Sequence, residues 1–232
     1  MKLYGIEKLS LVDYDGFVSA TVFTGNCNFR CGFCHNSALV IDYTNLPFIP
    51  EEEVLDYLKK RKGILEGLCI TGGEPTLNKD LPEFCEKVKK IGYSVKVDTN
   101  GTNPSMIKTL TDNGLADYFA MDIKNDRENY AAIIGFDSFD TSKVEESVKL
   151  LMNGKVGYEF RTTLIKEYHA ADNIKRIAEW INGADKYFMQ KFKNGENCLT
   201  TNLNAVATET AKSFVEIIKP YVGKAALRGY DL

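Results

Sequence analysis

The chain has 232 residues, enough for one large α/β unit, and an ordinary globular composition of 44% hydrophobic and 26% charged residues. A net charge of −3 gives no broad basic field, so nucleic acid and anionic membrane surfaces are not expected partners. No window approaches the roughly 20 apolar residues of a membrane helix, and the opening MKLYGIEKLSLVDYDG lacks the apolar core and cleavage site of a signal peptide. The expected compartment is the cytoplasm, where six cysteines stay reduced.

In chain order, β-rich apolar runs predict strands at Val18–Thr24, Leu68–Thr71, Ser94–Asp98, Tyr118–Ile123, Val156–Leu164 and Tyr187–Phe192. Helical periodicity fills the intervals. One stripe is Leu81, Phe84, Cys85, Val88 and Ile91, stopped by Gly92; another is Ile174, Ile177, Ala178 and Ile181, stopped by Gly183. Gly63, Gly114 and Gly154 take the same stop position, which left-handed helix caps favour. The basic run Lys59-Lys60-Arg61-Lys62 reads as a solvated helix face, and the last helix is expected from about Asn204 to Tyr221.

Six strands alternating with helices imply a parallel sheet with right-handed crossovers. A closed eight-stranded barrel usually needs about 250 residues. The expected fold is therefore a partial (β/α)6 TIM-like open barrel, with a doubly wound open sheet as its competitor. It is read as a single domain over residues 1–232, with its core at 18–192. Active sites of such folds form at the carboxyl ends of the strands. Here every one of those ends is polar, from Thr24-Gly25-Asn26-Cys27 to Gln190-Lys191, so all six could line one pocket.

The first strand runs into Cys27-Asn28-Phe29-Arg30-Cys31-Gly32-Phe33-Cys34-His35-Asn36. Three thiols in eight residues suit metal binding better than disulfides. Structural zinc normally takes four ligands, and His35 directly follows Cys34, so both rarely reach one ion. Three cysteines can instead hold three irons of a [4Fe–4S] cube and leave the fourth open to a small molecule. Cys69, Cys85 and Cys198 are too scattered to suggest a second cluster; Cys85 falls on a core-facing stripe and His169 has no motif context.

These residues resemble the radical S-adenosylmethionine superfamily, whose C-x3-C-x-aromatic-C signature takes Phe33 in its aromatic slot. The likeness continues in order through Gly72-Gly73-Glu74-Pro75, Asp98-Thr99-Asn100-Gly101 and Asp122-Ile123-Lys124. It implies a cluster on Cys27, Cys31 and Cys34, with the open iron chelating the methionine moiety of S-adenosylmethionine. One electron then breaks the C5′–S bond, and the resulting 5′-deoxyadenosyl radical abstracts hydrogen from a substrate. It further implies that Gly72, Gly73 and Glu74 approach the methionine amino group. Asp98, Thr99, Asn100 and Asp122 would surround its carboxylate, with a monovalent cation in some members. Phe33, His35, Lys124, Arg161 and Gln190 are the remaining candidates for cofactor contact, although Gln190 replaces a histidine of some relatives.

Within the superfamily, Cys34-His35-Asn36 and Asp122-Ile123-Lys124 resemble the glycyl-radical-enzyme activases. The opening Ser10-Leu11-Val12-Asp13-Tyr14-Asp15-Gly16 is most similar to the branch that activates anaerobic ribonucleoside-triphosphate reductase. The implied partners are a glycyl-radical enzyme and a flavodoxin- or ferredoxin-type electron donor. The alternatives are a radical enzyme acting on a small molecule or peptide in cofactor biosynthesis, and a non-catalytic zinc protein.

Overall fold

The computed structural model describes residues 1–231. Its strands are β1 (Lys2–Ser10), β2 (Ser19–Thr24), β3 (Ile49–Pro50), β4 (Gly67–Gly72), β5 (Ser94–Thr99), β6 (Tyr118–Asp122), β7 (Gly157–Leu164), β8 (Lys186–Lys191) and β9 (Lys224–Arg228). They form one sheet in the order β3-β1-β2-β4-β5-β6-β7-β8-β9. All neighbours from β2 to β9 are parallel, whereas β1 pairs antiparallel with β2 and β3. Parallel neighbours need crossovers, and helices supply them. These are α1 (Ser37–Ile41), α2 (Glu51–Lys60), α3 (Leu81–Ile91), α4 (Pro104–Asp112), α5 (Tyr130–Ile134), α6 (Ser142–Asn153), α7 (Ala171–Trp180) and α8 (Thr208–Ile218).

Strand alternation divides the molecule into two layers of different chemistry. Val22, Leu68, Ile70, Val95, Val97, Phe119, Met121, Phe160 and Met189 are fully buried. They share one apolar core with Leu58, Phe84, Val88, Leu110, Val144, Ile177 and Phe214 of the helices. Each such side chain contributes about 1.5–3 kcal/mol of burial. The residues between them on the strands, including Thr71, Lys96, Asp98, Asp122, Glu159, Arg161, Thr163, Gln190 and Arg228, line cavities on the other face of the sheet. The open barrel thus has an apolar outside under its helices and a charged lumen.

The helical stripes fall where periodicity places them: Leu81, Phe84, Cys85 and Val88 are buried on α3, and Ile174, Ile177 and Ala178 on α7. Gly92 caps α3 with φ 103°. Gly154, by contrast, follows α6 with φ −82° and is extended, so it is not a left-handed cap. The sheet has nine strands rather than six. The core therefore extends past 18–192 at both ends, through β1 and β9. Of the three added strands, β3 is two residues long, and β1 and β9 lack a strong alternating pattern, because β9 is an edge and β1 meets β3 only at Lys2 and Leu3, which leaves both half-solvated. The last helix begins at Thr208, not Asn204, since Ala205 bridges to Ile165 and Asn204 bonds Glu167. It gives way to a 3-10 turn at Lys219–Tyr221, where Pro220 removes an amide donor. No described helix is long and apolar enough to cross a membrane.

Candidate active site

The thiols come from the loop leaving β2. Asn26 takes a left-handed φ of 70° and donates its amide to the Leu39 carbonyl at 2.9 Å, which turns the chain across the strand ends. Arg30 then folds back and donates to the Cys27 and Phe29 carbonyls at 2.7 and 2.8 Å. Phe29 anchors the loop inward, edge-on to Phe139 with ring centres 5.4 Å apart. Distant chain buttresses it from the other side. Thr200 donates its amide to the Gly32 carbonyl at 2.9 Å, and the Cys198 thiol lies 3.8 Å from the Phe33 carbonyl. Cys198 is thus remote in sequence but close to the loop.

Cys27, Cys31 and Cys34 line one cavity of about 180 Å³, together with residues from the ends of β4, β5, β6 and β7. Burial pushes the Cys27 thiol up to about 11 and the Cys31 thiol up to about 12, and raises Cys34. Metal binding must displace these protons. Among the described residues no three His, Cys, Asp or Glu side chains converge as ligands of a single ion. A cubane places no such demand, because each thiolate takes its own iron. Phe33 is buried beside the thiols, with the Lys124 ammonium 5.5 Å from its ring centre. His35 lines the same cavity and hydrogen-bonds the Lys193 carbonyl through Nε2.

The Gly72-Gly73-Glu74-Pro75 segment has a local purpose legible only in three dimensions. A Cβ on Gly72 would stand 2.4 Å from the Thr24 amide nitrogen, and one on Gly73 would stand 2.0 Å from the Asn26 carbonyl oxygen. The two glycines let this turn lie flat against the backbone entering the thiol loop. Gly73 donates to the Thr24 carbonyl at 2.8 Å and Glu74 to that of Asn26 at 2.7 Å. Asn36, just after the thiols, donates to the Gly72 carbonyl at 3.2 Å.

Glu74 is buried, and its carboxylate accepts from the amide and hydroxyl of Thr76, the hydroxyl of Thr99 and, at 2.6 Å, the amide of Asn100. It therefore binds the β4 turn to the β5 turn. Burial raises its pKa against the pull of these donors. Asn100 continues the chain of contacts by donating to the Asn28 side chain at 2.8 Å, back in the thiol loop.

Behind the thiols the lumen holds a ladder of alternating charge. Lys96 pairs with Asp98 at 2.5 Å, Asp98 with Arg161 at 3.2 Å, Arg161 with Asp122 at 3.0 Å and Asp122 with Lys124 at 2.8 Å. Burial works to raise both carboxyls, but the flanking cations win: Asp98 is lowered, and Lys124 and Arg161 hold Asp122 at about 2. The carboxylates likewise hold Arg161 and Lys124 firmly protonated despite burial. His169 is buried and structural. It hydrogen-bonds the Lys124 carbonyl through Nε2 at 3.0 Å and accepts from the Ile165 amide at 2.9 Å, fixing the loops after β6 and β7.

Of the residues singled out from sequence, Gly72 and Gln190 do not line the thiol cavity. Gln190 is paired with Thr163 and, with Glu159 and Arg228, lines the neighbouring cavity, which shares Asp98 and Arg161 with that of the thiols. Strand parity points it inward, but the register sets it beside Arg228. Five strand ends, not six, thus converge on the thiols. Lys96 was not legible as a site residue. The only signal is a lysine inside the otherwise apolar run Ser94-Val95-Lys96-Val97, two residues before Asp98 and so on the same face. Thr163 and Asn36 also line the cavity.

A thiol loop over a charged, half-open α/β barrel defines an enzyme fold that activates a small molecule at a cluster. The sequence profile of the radical SAM superfamily matches residues 21–219, and the chain belongs to that superfamily. Its members use a [4Fe–4S] cluster and S-adenosylmethionine. The chain is 33% identical over 196 residues to a Methanocaldococcus jannaschii protein provisionally named a glycyl-radical enzyme activating enzyme, covering 82% of this chain and 79% of that one. It is 26% identical over 181 residues to the 7-carboxy-7-deazaguanine synthase of Thermoplasma acidophilum, covering 73% and 82%. Streptococcus suis SuiB bound to S-adenosylmethionine has the same fold, with a TM-score of 0.70 at 14% identity over 89% of this chain and 49% of that one.

Proposed function

We propose that the chain is a glycyl-radical-enzyme activase that removes hydrogen from a glycine Cα of a partner protein. The observation that carries this reading is the 33% identity to a relative bearing that name along 79% of the relative's length. The Cys34-His35-Asn36 and Asp122-Ile123-Lys124 motifs support it.

Cys27, Cys31 and Cys34 would hold the cluster, on a loop anchored by the buried side chains of Phe29, Cys31 and Phe33. When bound, cluster and S-adenosylmethionine supply a one-electron cleavage of the C5′–S bond and hence a primary carbon radical. The backbone of Gly73 lines the cavity close to the thiols and suits the methionine amino group. Glu74 holds the β4 and β5 turns at fixed distance rather than reaching for ligand itself. Lys124 and Arg161 present cations to a carboxylate, and Phe33 gives an apolar wall. A flavodoxin- or ferredoxin-type protein suits the electron supply, and anaerobic ribonucleoside-triphosphate reductase is the preferred partner.

The test is anaerobic. Reconstituted protein, dithionite and S-adenosylmethionine should release 5′-deoxyadenosine, and adding an anaerobic ribonucleotide reductase should yield a glycyl radical by electron paramagnetic resonance. Cofactor cleavage with no radical on any glycyl-radical enzyme would turn the assignment towards a second reading, small-molecule chemistry in cofactor biosynthesis. The likeness to 7-carboxy-7-deazaguanine synthase favours that reading.

A further inference from the structure

The lumen ladder poses a question of charge that the family's chemistry does not answer. Two part-buried carboxylates, Asp98 and Asp122, face the cavity that would receive a third, on the methionine moiety. Three carboxylates together require cations or protons. The resemblance allows a monovalent metal ion, but the residues present leave it no vacancy. Asp98 Oδ1 meets Lys96 at 2.5 Å and Asp98 Oδ2 meets Arg161 at 3.2 Å. Asp122 Oδ1 meets Arg161 at 3.0 Å and Oδ2 meets Lys124 at 2.8 Å. All four carboxylate oxygens are thus engaged by side-chain cations.

The ladder of Lys96, Asp98, Arg161, Asp122 and Lys124 carries three positive and two negative charges, a net +1 (3 − 2 = +1). That excess matches one incoming carboxylate. Without Lys96 the remaining four sum to zero, and the pocket wall offers the incoming carboxylate no excess positive charge. Lys96 does not line the thiol cavity. It is 3% exposed and occupies the far side of Asp98, towards the lower lumen. The other groups against it or in its cavity are the Cys69 thiol at 3.7 Å, which burial keeps protonated, the Glu159–Arg228 pair, Asp15, which also pairs with Arg228 at 2.7 Å, and Asp13, which accepts from the Thr21 hydroxyl.

We infer that Lys96 is a built-in counter-ion, a positioning residue that replaces a monovalent metal ion and makes S-adenosylmethionine binding independent of potassium and sodium. This rests on the cofactor occupying the thiol cavity, as proposed above. Through Asp98 it also leaves Arg161 shared evenly between two acids, so that the excess charge is expressed at Lys124, beside the thiols.

The experiment is calorimetric titration of the reconstituted, unreduced holoenzyme with S-adenosylmethionine at constant ionic strength, in potassium, sodium or choline chloride. The wild-type Kd should agree within about twofold in all three salts. Lys96→Met should bind at least tenfold more weakly in choline chloride, about 1.4 kcal/mol, and recover in potassium or sodium chloride. Lys96→Arg should behave as wild type. Lys96→Met/Asp98→Asn restores the net +1 and should bind in choline chloride without a metal ion. A wild-type Kd that improves tenfold with potassium would overturn the inference, as would a Lys96→Met protein that binds normally in choline. Should Lys96→Met fail to fold, the wild-type and Lys96→Arg titrations across the three salts still decide it. A wild-type protein that binds no cofactor in any salt refutes the cofactor site itself, and is thereby distinct from failure of the counter-ion alone.

Discussion

The thiol loop and the charge ladder face each other across one cavity, yet they are built on opposite principles. The loop is held by backbone: Gly72 and Gly73 lie against Thr24–Asn26, and main-chain bonds from Gly73, Glu74 and Thr200 fix its carbonyls. Few of its bonds depend on charge. The ladder is held by side chains from three strands, and its pairs connect residues as far apart as Asp98 and Arg161. A backbone-held loop tolerates deprotonation of its thiols and metal loading without rearrangement. A ladder of buried ions holds a fixed potential at the pocket wall. In the function proposed, this difference lets one half of the site carry a cluster and the other meet a charged organic ligand.

Substitutions that strike each half should separate the two. The largest effect is expected on the loop: Cys31→Ala should lose the brown cluster absorbance and all 5′-deoxyadenosine formation while keeping wild-type circular dichroism. A full cluster in that variant would refute the ligand assignment. On the ladder, Asp122→Asn leaves Lys124 and half of Arg161 unpaired in a buried site. It should cost about 3–5 kcal/mol in denaturant unfolding, with the thiols still able to take up iron. Loss of less than about 1 kcal/mol would mean the ladder is too solvated to behave as argued.

Gly73→Ala tests the backbone half, since its Cβ must displace the Asn26 carbonyl. An overpacking cost of about 1–3 kcal/mol is expected, together with slower iron uptake, because the carbonyl belongs to the residue before Cys27. The acid limb of stability sharpens the contrast further. Asp122 has an ordinary value of 3.8 and is held at about 2 when folded. Its contribution is complete above the ordinary value and is lost as pH falls from about 4 towards 2. It amounts to about 2 kcal/mol, so the slope of unfolding free energy against pH in that window should flatten in Asp122→Asn. The smallest effect belongs to Gln190→Ala, which should leave cofactor affinity within about twofold, since Gln190 lines the neighbouring cavity and not that of the thiols. A large loss there would mean that the two cavities are coupled through Asp98 and Arg161, which line both.

The parts of the molecule written into contiguous sequence were legible without the fold. The spacing of Cys27, Cys31 and Cys34, the Gly-Gly-Glu-Pro turn and the stripes of α3 and α7 are local. Each is fixed by a rise, a period or a steric limit that spans at most a dozen residues. Strand alternation likewise announced a polar row at the carboxyl ends.

Tertiary structure alone decided who meets whom. Register across β5, β6 and β7 joined Lys96, Asp98, Arg161 and Asp122 into one ladder and turned a lysine in an apolar run into a counter-ion. Register also set Gln190 between Thr163 and Arg228, in the cavity beside that of the thiols. The carboxylate of Glu74 lines the thiol cavity and also ties two turns together once the β5 turn is set beside it. The strands β1 and β9 escaped notice because β9 is paired on one side only and β1 is paired on its second side only at Lys2 and Leu3, so each carries a weak pattern. Sequence specifies the period of each element, whereas the relative shift of neighbouring strands is chosen by packing of the whole barrel. That shift determines which charges lie within 3 Å of each other.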